Sequence, residues 1–135
     1  MATWDDVRRI ALSLPDTTES GMYGSLSWRV HDKAFGWERP LRQADLAELG
    51  EDAPSGPVLA ARVPDEGVKE VLVADEPDVY FTTSHFKGYA AVLVRLEQIE
   101  VADLEELLVD ACLTRAPKKL AKQYLADDHR QGERA

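Results

Sequence analysis

Residues 79–96 read VYFTTSHFKGYAAVLVRL, a stretch in which two apolar runs flank a polar connection. Residues 79–83 and 89–96 are rich in β-branched and aromatic residues, which is typical of strands. The connection SHFKG, residues 84–88, is polar and ends in a glycine, so it can form the loop between the two strands. The pattern therefore predicts an antiparallel hairpin.

A second hairpin is predicted nearer the N-terminus. Apolar and aromatic residues recur over residues 22–39, and the run is broken by Gly24 and by the His-Asp-Lys triplet at residues 31–33. We place the turn of this hairpin near Asp32. A further short strand is predicted over residues 58–63, where an apolar run follows a proline.

The remaining periodic segments predict helices, the first over residues 4–14, where Thr3 and Asp6 have the spacing of a capping box. Further helices are predicted over residues 43–49, 68–75, 101–115 and 118–125. Two hairpins with helices at both ends indicate an α+β domain, in which a largely antiparallel sheet is covered on one face by helices. A chain of 135 residues is long enough for one core. We therefore predict a single domain over residues 1–126 and a polar C-terminal tail over residues 127–135.

The charge of the chain is strongly segregated along the sequence. The net charge is −9; residues 43–78 hold ten acidic and two basic residues, and residues 97–114 hold six acidic residues and no basic one. Residues 79–96 and 115–122, in contrast, contain basic residues and no acid. An acidic protein is repelled by nucleic acid unless its basic charge is local. The candidate nucleic-acid or anion-binding residues are Arg29, Lys87, Arg95, Arg115, Lys118, Lys119 and Lys122.

Several classes of protein are disfavoured by the sequence. No apolar run approaches the roughly 20 residues needed to cross a bilayer, and the N-terminus lacks the pattern of a secretion signal. Cys112 is the single cysteine, which fits a reducing compartment and a small core residue. We expect a soluble, cytoplasmic protein without a membrane partner.

No catalytic or metal-binding constellation is visible. The three histidines lie far apart with no histidine or cysteine at ligand spacing, so we expect no metal. Ser84 precedes His85, but adjacency in sequence does not create the geometry of a nucleophile and its base. The glycine patterns of phosphate-binding loops and of the G-x-S-x-G elbow are also missing. We therefore expect a non-enzymatic domain without catalytic residues or a cofactor.

Several stretches together resemble the MmcQ/YjbR family. They are the opening helix over residues 4–15, GSLSWRVHDKAF at residues 24–35, YFTTSHFKGY at 80–89 with VLVRL at 92–96, and RAPKKL at 115–120. The resemblance covers nearly the whole chain. It implies a CyaY-like α+β fold and DNA binding through a double-wing arrangement, in which the two hairpins would be the wings. No established catalytic residues come with the family.

Two functional hypotheses follow, and a third stays open. The first is a small binding domain whose basic patch contacts an anionic partner, with nucleic acid as the leading choice. The alternative is a protein-interaction or small-ligand-binding module that uses an aromatic cleft formed by Trp28, Phe81 and His85 and needs no nucleic acid. The third is an enzyme whose site the sequence does not reveal.

Overall fold

The computed structural model describes residues 1–22 and 25–134 and contains one sheet with helices. The strands are β1 (Thr17–Met22), β2 (Ser25–Val30), β3 (Lys33–Glu38), β4 (Val58–Arg62), β5 (Tyr80–Phe81) and β6 (Ala91–Arg95). The helices are α1 (Trp4–Ser13), α2 (Gln43–Leu49), α3 (Glu66–Asp75), α4 (Val101–Arg115) and α5 (Lys118–Arg134). Two short 3-10 turns cover Gly50–Asp52 and Ser84–Phe86.

The sheet is antiparallel throughout and runs in the order β1-β2-β3-β4-β6-β5. The predicted α+β architecture with an antiparallel sheet is confirmed. Both predicted hairpins are present, because β2 pairs with β3 and β5 pairs with β6. The first hairpin turns at His31 and Asp32, whose φ angles are 49° and 65°. Two successive positive φ angles are a feature of the type I′ turn, which matches the twist of the flanking strands.

Strand β1 was not predicted from the sequence. Its residues, TTESGM, have little apolar content, and it becomes a strand by pairing along the whole of β2, from Thr17 opposite Val30 to Met22 opposite Ser25. The predicted break at Gly24 lies outside the described residues. Strand β5 is shorter than predicted, because the chain enters a 3-10 turn at Ser84.

The helix boundaries follow the local signals closely. Thr3 and Asp6 form the predicted capping box at the start of α1, with the Asp6 carboxylate accepting from the Thr3 N–H at 2.9 Å. Helix α2 ends at Gly50, whose φ is 58°. Helix α5 continues to Arg134, through most of the segment predicted to be a polar tail. None of the helices in the described ranges combines the length and apolarity needed to span a bilayer.

The sheet has two different faces, because successive side chains of a strand point to opposite sides. We call the side packed beneath α1 and α4 the helix face, and the opposite side the open face. Core side chains of the helix face include Trp28, Val30, Phe35, Leu59, Val92 and Val94. The open face carries a smaller apolar cluster over β4, β5 and β6, formed by Val58, Ala60, Phe81, Phe86, Ala91 and Leu93.

The packing of α4 on the sheet gives a test of the helix face. Leu108 is fully buried, and one of its methyl groups lies 3.5 Å from the position that a side-chain carbon on Gly36 would occupy. We expect Leu108→Ala to lower the free energy of unfolding by about 2 to 5 kcal/mol, because it opens a cavity against the sheet. Leu12→Ala is the matched control, since 48% of Leu12 is exposed, and it should cost less than about 0.5 kcal/mol. Urea denaturation measures both, and equal losses would contradict this packing.

Candidate functional site

Two adjoining cavities form one groove on the open face, next to the apolar cluster. Their volumes are about 520 and 370 Å³, and both are lined by Ser25, Trp37, Glu38 and Tyr89. Strands β2 and β3 form the floor, and the segment from His85 to Tyr89 forms one wall. We call this feature the groove. Its volume falls in the range of small-ligand sites.

The groove is positively charged although the chain as a whole is acidic. The cavities are lined by four arginines, Arg29, Arg39, Arg42 and Arg115, and by a single carboxylate, that of Glu38. Counting His85 as neutral, these charges give the lining a net +3, against −9 for the whole chain. An acidic protein can attract an anion where its basic side chains are concentrated in this way.

Arg29 and Arg115 reach the groove from distant parts of the chain. Arg29 lies on β2, and its guanidinium donates to the backbone oxygen of Asp32 at 3.2 Å, so it is held beside the hairpin turn. Arg115 is the last residue of α4, and its Nε is buried without a hydrogen bond among the described residues. A buried donor without an acceptor is destabilising.

Arg39 serves the structure of the groove through a buried ion pair. Its guanidinium donates to the Asp45 carboxylate at 3.1 Å, and the same carboxylate oxygen accepts from the Arg42 N–H at 2.9 Å. Burial by itself raises the pKa of Asp45, but the Arg42 hydrogen bond and the charge of Arg39 outweigh it and hold that pKa below its ordinary value. The pair fixes the β3–α2 connection and so the position of the exposed Arg42 side chain.

A buried lysine holds the wall of the groove in place. Lys69 on α3 is 5% exposed, and its ammonium donates to the backbone oxygens of Phe86 at 2.8 Å and Tyr89 at 2.9 Å. The Ser84 N–H also donates to the Glu48 carboxylate, and the Arg62 guanidinium stacks on the Tyr89 ring at 4.5 Å. These contacts attach the wall to α2, α3 and β4.

The wall and floor present aromatic surface to the groove. Trp37 on β3 is half-buried on the open face, and Tyr89 is 45% exposed. His85 is exposed and meets the Phe86 ring edge-on, with 5.2 Å between ring centres. The groove therefore combines guanidinium groups with rings that are accessible from solvent.

The aromatic cleft expected from the sequence is not assembled. Trp28 is fully buried on the helix face, stacked on Trp4 with 6.1 Å between ring centres, and its indole donates to Glu19 at 3.0 Å. Phe81 is buried in the apolar cluster of the open face. His85 is the one member of the three that lines the groove. The side-chain alternation of β2 explains the difference, because it sends Trp28 to one face and Arg29 to the other.

The predicted basic residues are only partly brought together. Arg29 and Arg115 line the same cavity. Arg95 lies over Phe81 at 4.5 Å and donates to the backbone oxygen of Asp52 at 2.9 Å, in a separate cavity that Asp78 also lines. The four lysines are exposed and line neither cavity of the groove: Lys87 in its wall segment, and Lys118, Lys119 and Lys122 on α5.

Several groove residues were missed by sequence reasoning. For Trp37, an aromatic residue at strand spacing, the sequence favours a core position over stacking on bases, and its face depends on a register shift between Trp28 and Arg29 that sequence does not show. Tyr89 was assigned to a strand, and Lys69 was counted only as a charge. The arginines at positions 39 and 42, before α2, could have indicated a site for an anion. The described part of the chain contains no group of three or more His, Cys, Asp or Glu side chains that could hold a metal ion.

Comparisons with known proteins show what this chain is similar to. The model of the family described as YjbR matches residues 12–112. Proteins of Mycobacterium tuberculosis and Mycobacterium bovis, each described as uncharacterised, are 55% identical over 130 residues, covering 94% of this chain and 98% of each relative. A crystal structure of a Deinococcus radiodurans protein with a DUF419 domain superimposes with a TM-score of 0.61 at 22% identity, covering 84% of this chain and 78% of that one.

Replacing Lys69 tests whether it holds the wall. In Lys69→Met the backbone oxygens of Phe86 and Tyr89 lose the ammonium and each keeps one backbone donor, and we expect the free energy of unfolding to fall by about 1 to 3 kcal/mol. We also expect faster hydrogen exchange at the amides of residues 86–89. Lys87→Met, an exposed lysine of the same segment, is the matched control and should change stability by less than about 0.5 kcal/mol. Equal exchange rates in the two variants would show that Lys69 does not hold the wall.

Proposed function

This chain belongs to the YjbR family, and we propose that it is a non-enzymatic domain that binds a phosphate-bearing ligand in the groove, with single-stranded nucleic acid as the leading class. The observation that carries the proposal is the positive lining of the groove in a chain of net charge −9. The acidic segments of the chain repel an anion, whereas the positive lining of the groove attracts it.

The arginines favour phosphate as the recognised group. A guanidinium presents several N–H donors in one plane and matches two phosphate oxygens at once. Arg29 and Arg115 line one cavity, Arg42 lines the other, and the Nε of Arg115 has no acceptor among the described residues.

The rings favour an unpaired nucleic acid strand over a duplex. Bases of a single strand are free to stack on rings such as Trp37 and Tyr89, and such stacking tolerates any base. A duplex keeps its bases inside and would bring a second row of phosphates towards the acidic residues 43–78, which begin at α2 directly after the groove. No helix in the described residues lines the groove in the manner of a recognition helix.

A second candidate function is the binding of a small free phosphate compound, such as a mononucleotide. Each cavity lies within the roughly 300 to 1,000 Å³ typical of small-ligand sites, which supports this alternative. The two candidates differ in how affinity depends on length. A strand gains contacts beyond one nucleotide, whereas a small-molecule site does not.

A salt titration of single-stranded binding tests the proposal. We expect a fluorescein-labelled dT12 oligonucleotide to bind at about 50 mM salt, with log affinity falling against log salt at a slope of about −2 if three phosphates are engaged. The triple variant Arg29→Gln, Arg42→Gln and Arg115→Gln should weaken binding by at least about tenfold and flatten the slope. Fluorescence anisotropy measures both, and no binding by the wild type at 50 mM salt would refute the nucleic-acid proposal.

The α5 lysines provide a control of equal charge. A second triple variant also removes three positive charges, but from outside the groove. It carries Lys118→Gln, Lys119→Gln and Lys122→Gln. We expect a loss of less than about threefold, from the long-range field alone. A larger loss than in the groove variant would move the binding surface to α5. If dTMP binds as tightly as dT12, the small-ligand function replaces the nucleic-acid one.

A further inference from the structure

A second, smaller cleft lies between α3 and α4, outside the groove. Its volume is about 200 Å³, the size of a single side chain rather than a whole ligand. Apolar side chains of Val63, Leu72 and Leu107 line it. It is also lined by four carboxylates, those of Glu76, Asp103, Glu106 and Asp110. We call it the acidic cleft.

The four carboxylates of the acidic cleft lack cationic partners. Among the described residues, none of them forms an ion pair within 4 Å. Arg62 is the one basic residue that lines the cleft, and its guanidinium stacks on Tyr89 at 4.5 Å. Burial raises the pKa of Asp110 above its ordinary value, in keeping with a carboxylate that loses water and gains no partner.

An independent observation points to a ligand, namely the Tyr80 side chain, whose hydroxyl reaches the cleft from a residue that is otherwise buried. Tyr80 is 4% exposed and lines both this cleft and the cavity beside Arg95, and its hydroxyl makes no hydrogen bond within the described chain. Burial, together with the charges of Glu76, Asp103 and Glu106, raises the pKa of Tyr80 to about 12. The hydroxyl therefore stays protonated among carboxylates, with its acceptor lone pairs available to a donor from outside the chain.

We propose that the acidic cleft binds one arginine side chain of a protein partner. The apolar lining suits the aliphatic stem of an arginine, and the carboxylates suit its guanidinium. The planar fork of N–H donors can reach two carboxylates and the Tyr80 hydroxyl together, whereas a lysine ammonium acts as a point charge. The partner is thus a protein segment with an exposed arginine, and the site does not depend on the ligand of the groove.

The probe for this site is N-acetyl-L-arginine amide, with N-acetyl-L-citrulline amide as its neutral counterpart of the same shape. We expect the arginine probe to shift the amide signals of Val63, Leu72 and Leu107 in a nitrogen-15 NMR titration of the full chain. The citrulline probe should leave them unchanged at the same concentration and ionic strength. Equal shifts with both probes, or no shift with either, would overturn the proposal.

Two neighbouring glutamates on α4 allow binding in the cleft to be distinguished from attraction to the overall negative charge of the chain. Glu106 lines the cleft, whereas Glu105 is exposed and does not. We expect Glu106→Gln to weaken binding of the arginine probe by about threefold to tenfold, and Glu105→Gln, with the same change in net charge, to leave it within about 1.5-fold. Equal losses would show non-specific attraction and overturn the proposal.

Two further measurements test the role of the Tyr80 hydroxyl and the identity of the side chain that binds in the acidic cleft. Tyr80→Phe removes only the hydroxyl and should also weaken the arginine probe, while an unchanged affinity would exclude Tyr80 from recognition. N-acetyl-L-lysine amide should bind more weakly than the arginine probe, and tighter binding would overturn the choice of arginine. If sedimentation shows a dimer that Glu106→Gln dissociates, a second copy of this chain occupies the cleft and the proposal of a different partner is wrong.

Discussion

The burial of the helix face beneath α1 and α4 is the constraint on which the other features depend. Trp28, Phe35, Leu59 and Leu108 are fully buried there, and Trp28 satisfies its single N–H by donating to Glu19. Because β-strand side chains alternate, placing these residues inward sends their neighbours outward. Arg29 reaches the open face for this reason, and Trp37 reaches it because the register shift between β2 and β3 interrupts the alternation after Phe35. The groove is thus a consequence of the core, and a slip of one residue in β2 would exchange the two faces.

The open face is not left bare, and its cover comes from residues distant in sequence. The wall of the groove is irregular backbone, which must satisfy its polar groups outside a regular ladder. Lys69 supplies donors for two of its carbonyl oxygens, and Glu48 accepts from the amide of Ser84, directly before the wall. Burying an ammonium is costly unless it is fully hydrogen-bonded. The hydrogen bonds of Lys69 offset that cost. They also give the wall a defined shape, which a ligand site needs.

The surface of the domain has two regions of opposite charge. The arginine-lined groove lies on the open face, and the acidic cleft lies between α3 and α4. Arg62 contributes to both, because it lines the acidic cleft while its guanidinium stacks on Tyr89 of the groove. The two regions attract ligands of opposite sign. A net charge of −9 describes neither of them, since fields close to a surface follow the local groups.

The sequence by itself determined the elements whose signals are local. The capping box of α1, the hairpin turn at His31 and Asp32, and the helix end at Gly50 each depend on residues within a few positions of one another. The resemblance of several stretches to one family was also visible in the sequence. Strand β1 escaped prediction because its pairing comes from β2 and not from its own pattern.

Only the tertiary structure decided which aromatic and basic residues share a site. Trp28 and Trp37 look alike in sequence, and a register shift between β2 and β3 helps to determine that one is core and the other lines the groove. The partners of Lys69 lie 17 and 20 residues further along the chain. Arg29 and Arg115 line one cavity although they are far apart in sequence. Periodicity reports which face of one element is buried, whereas a site depends on distances between elements, and folding alone sets those distances.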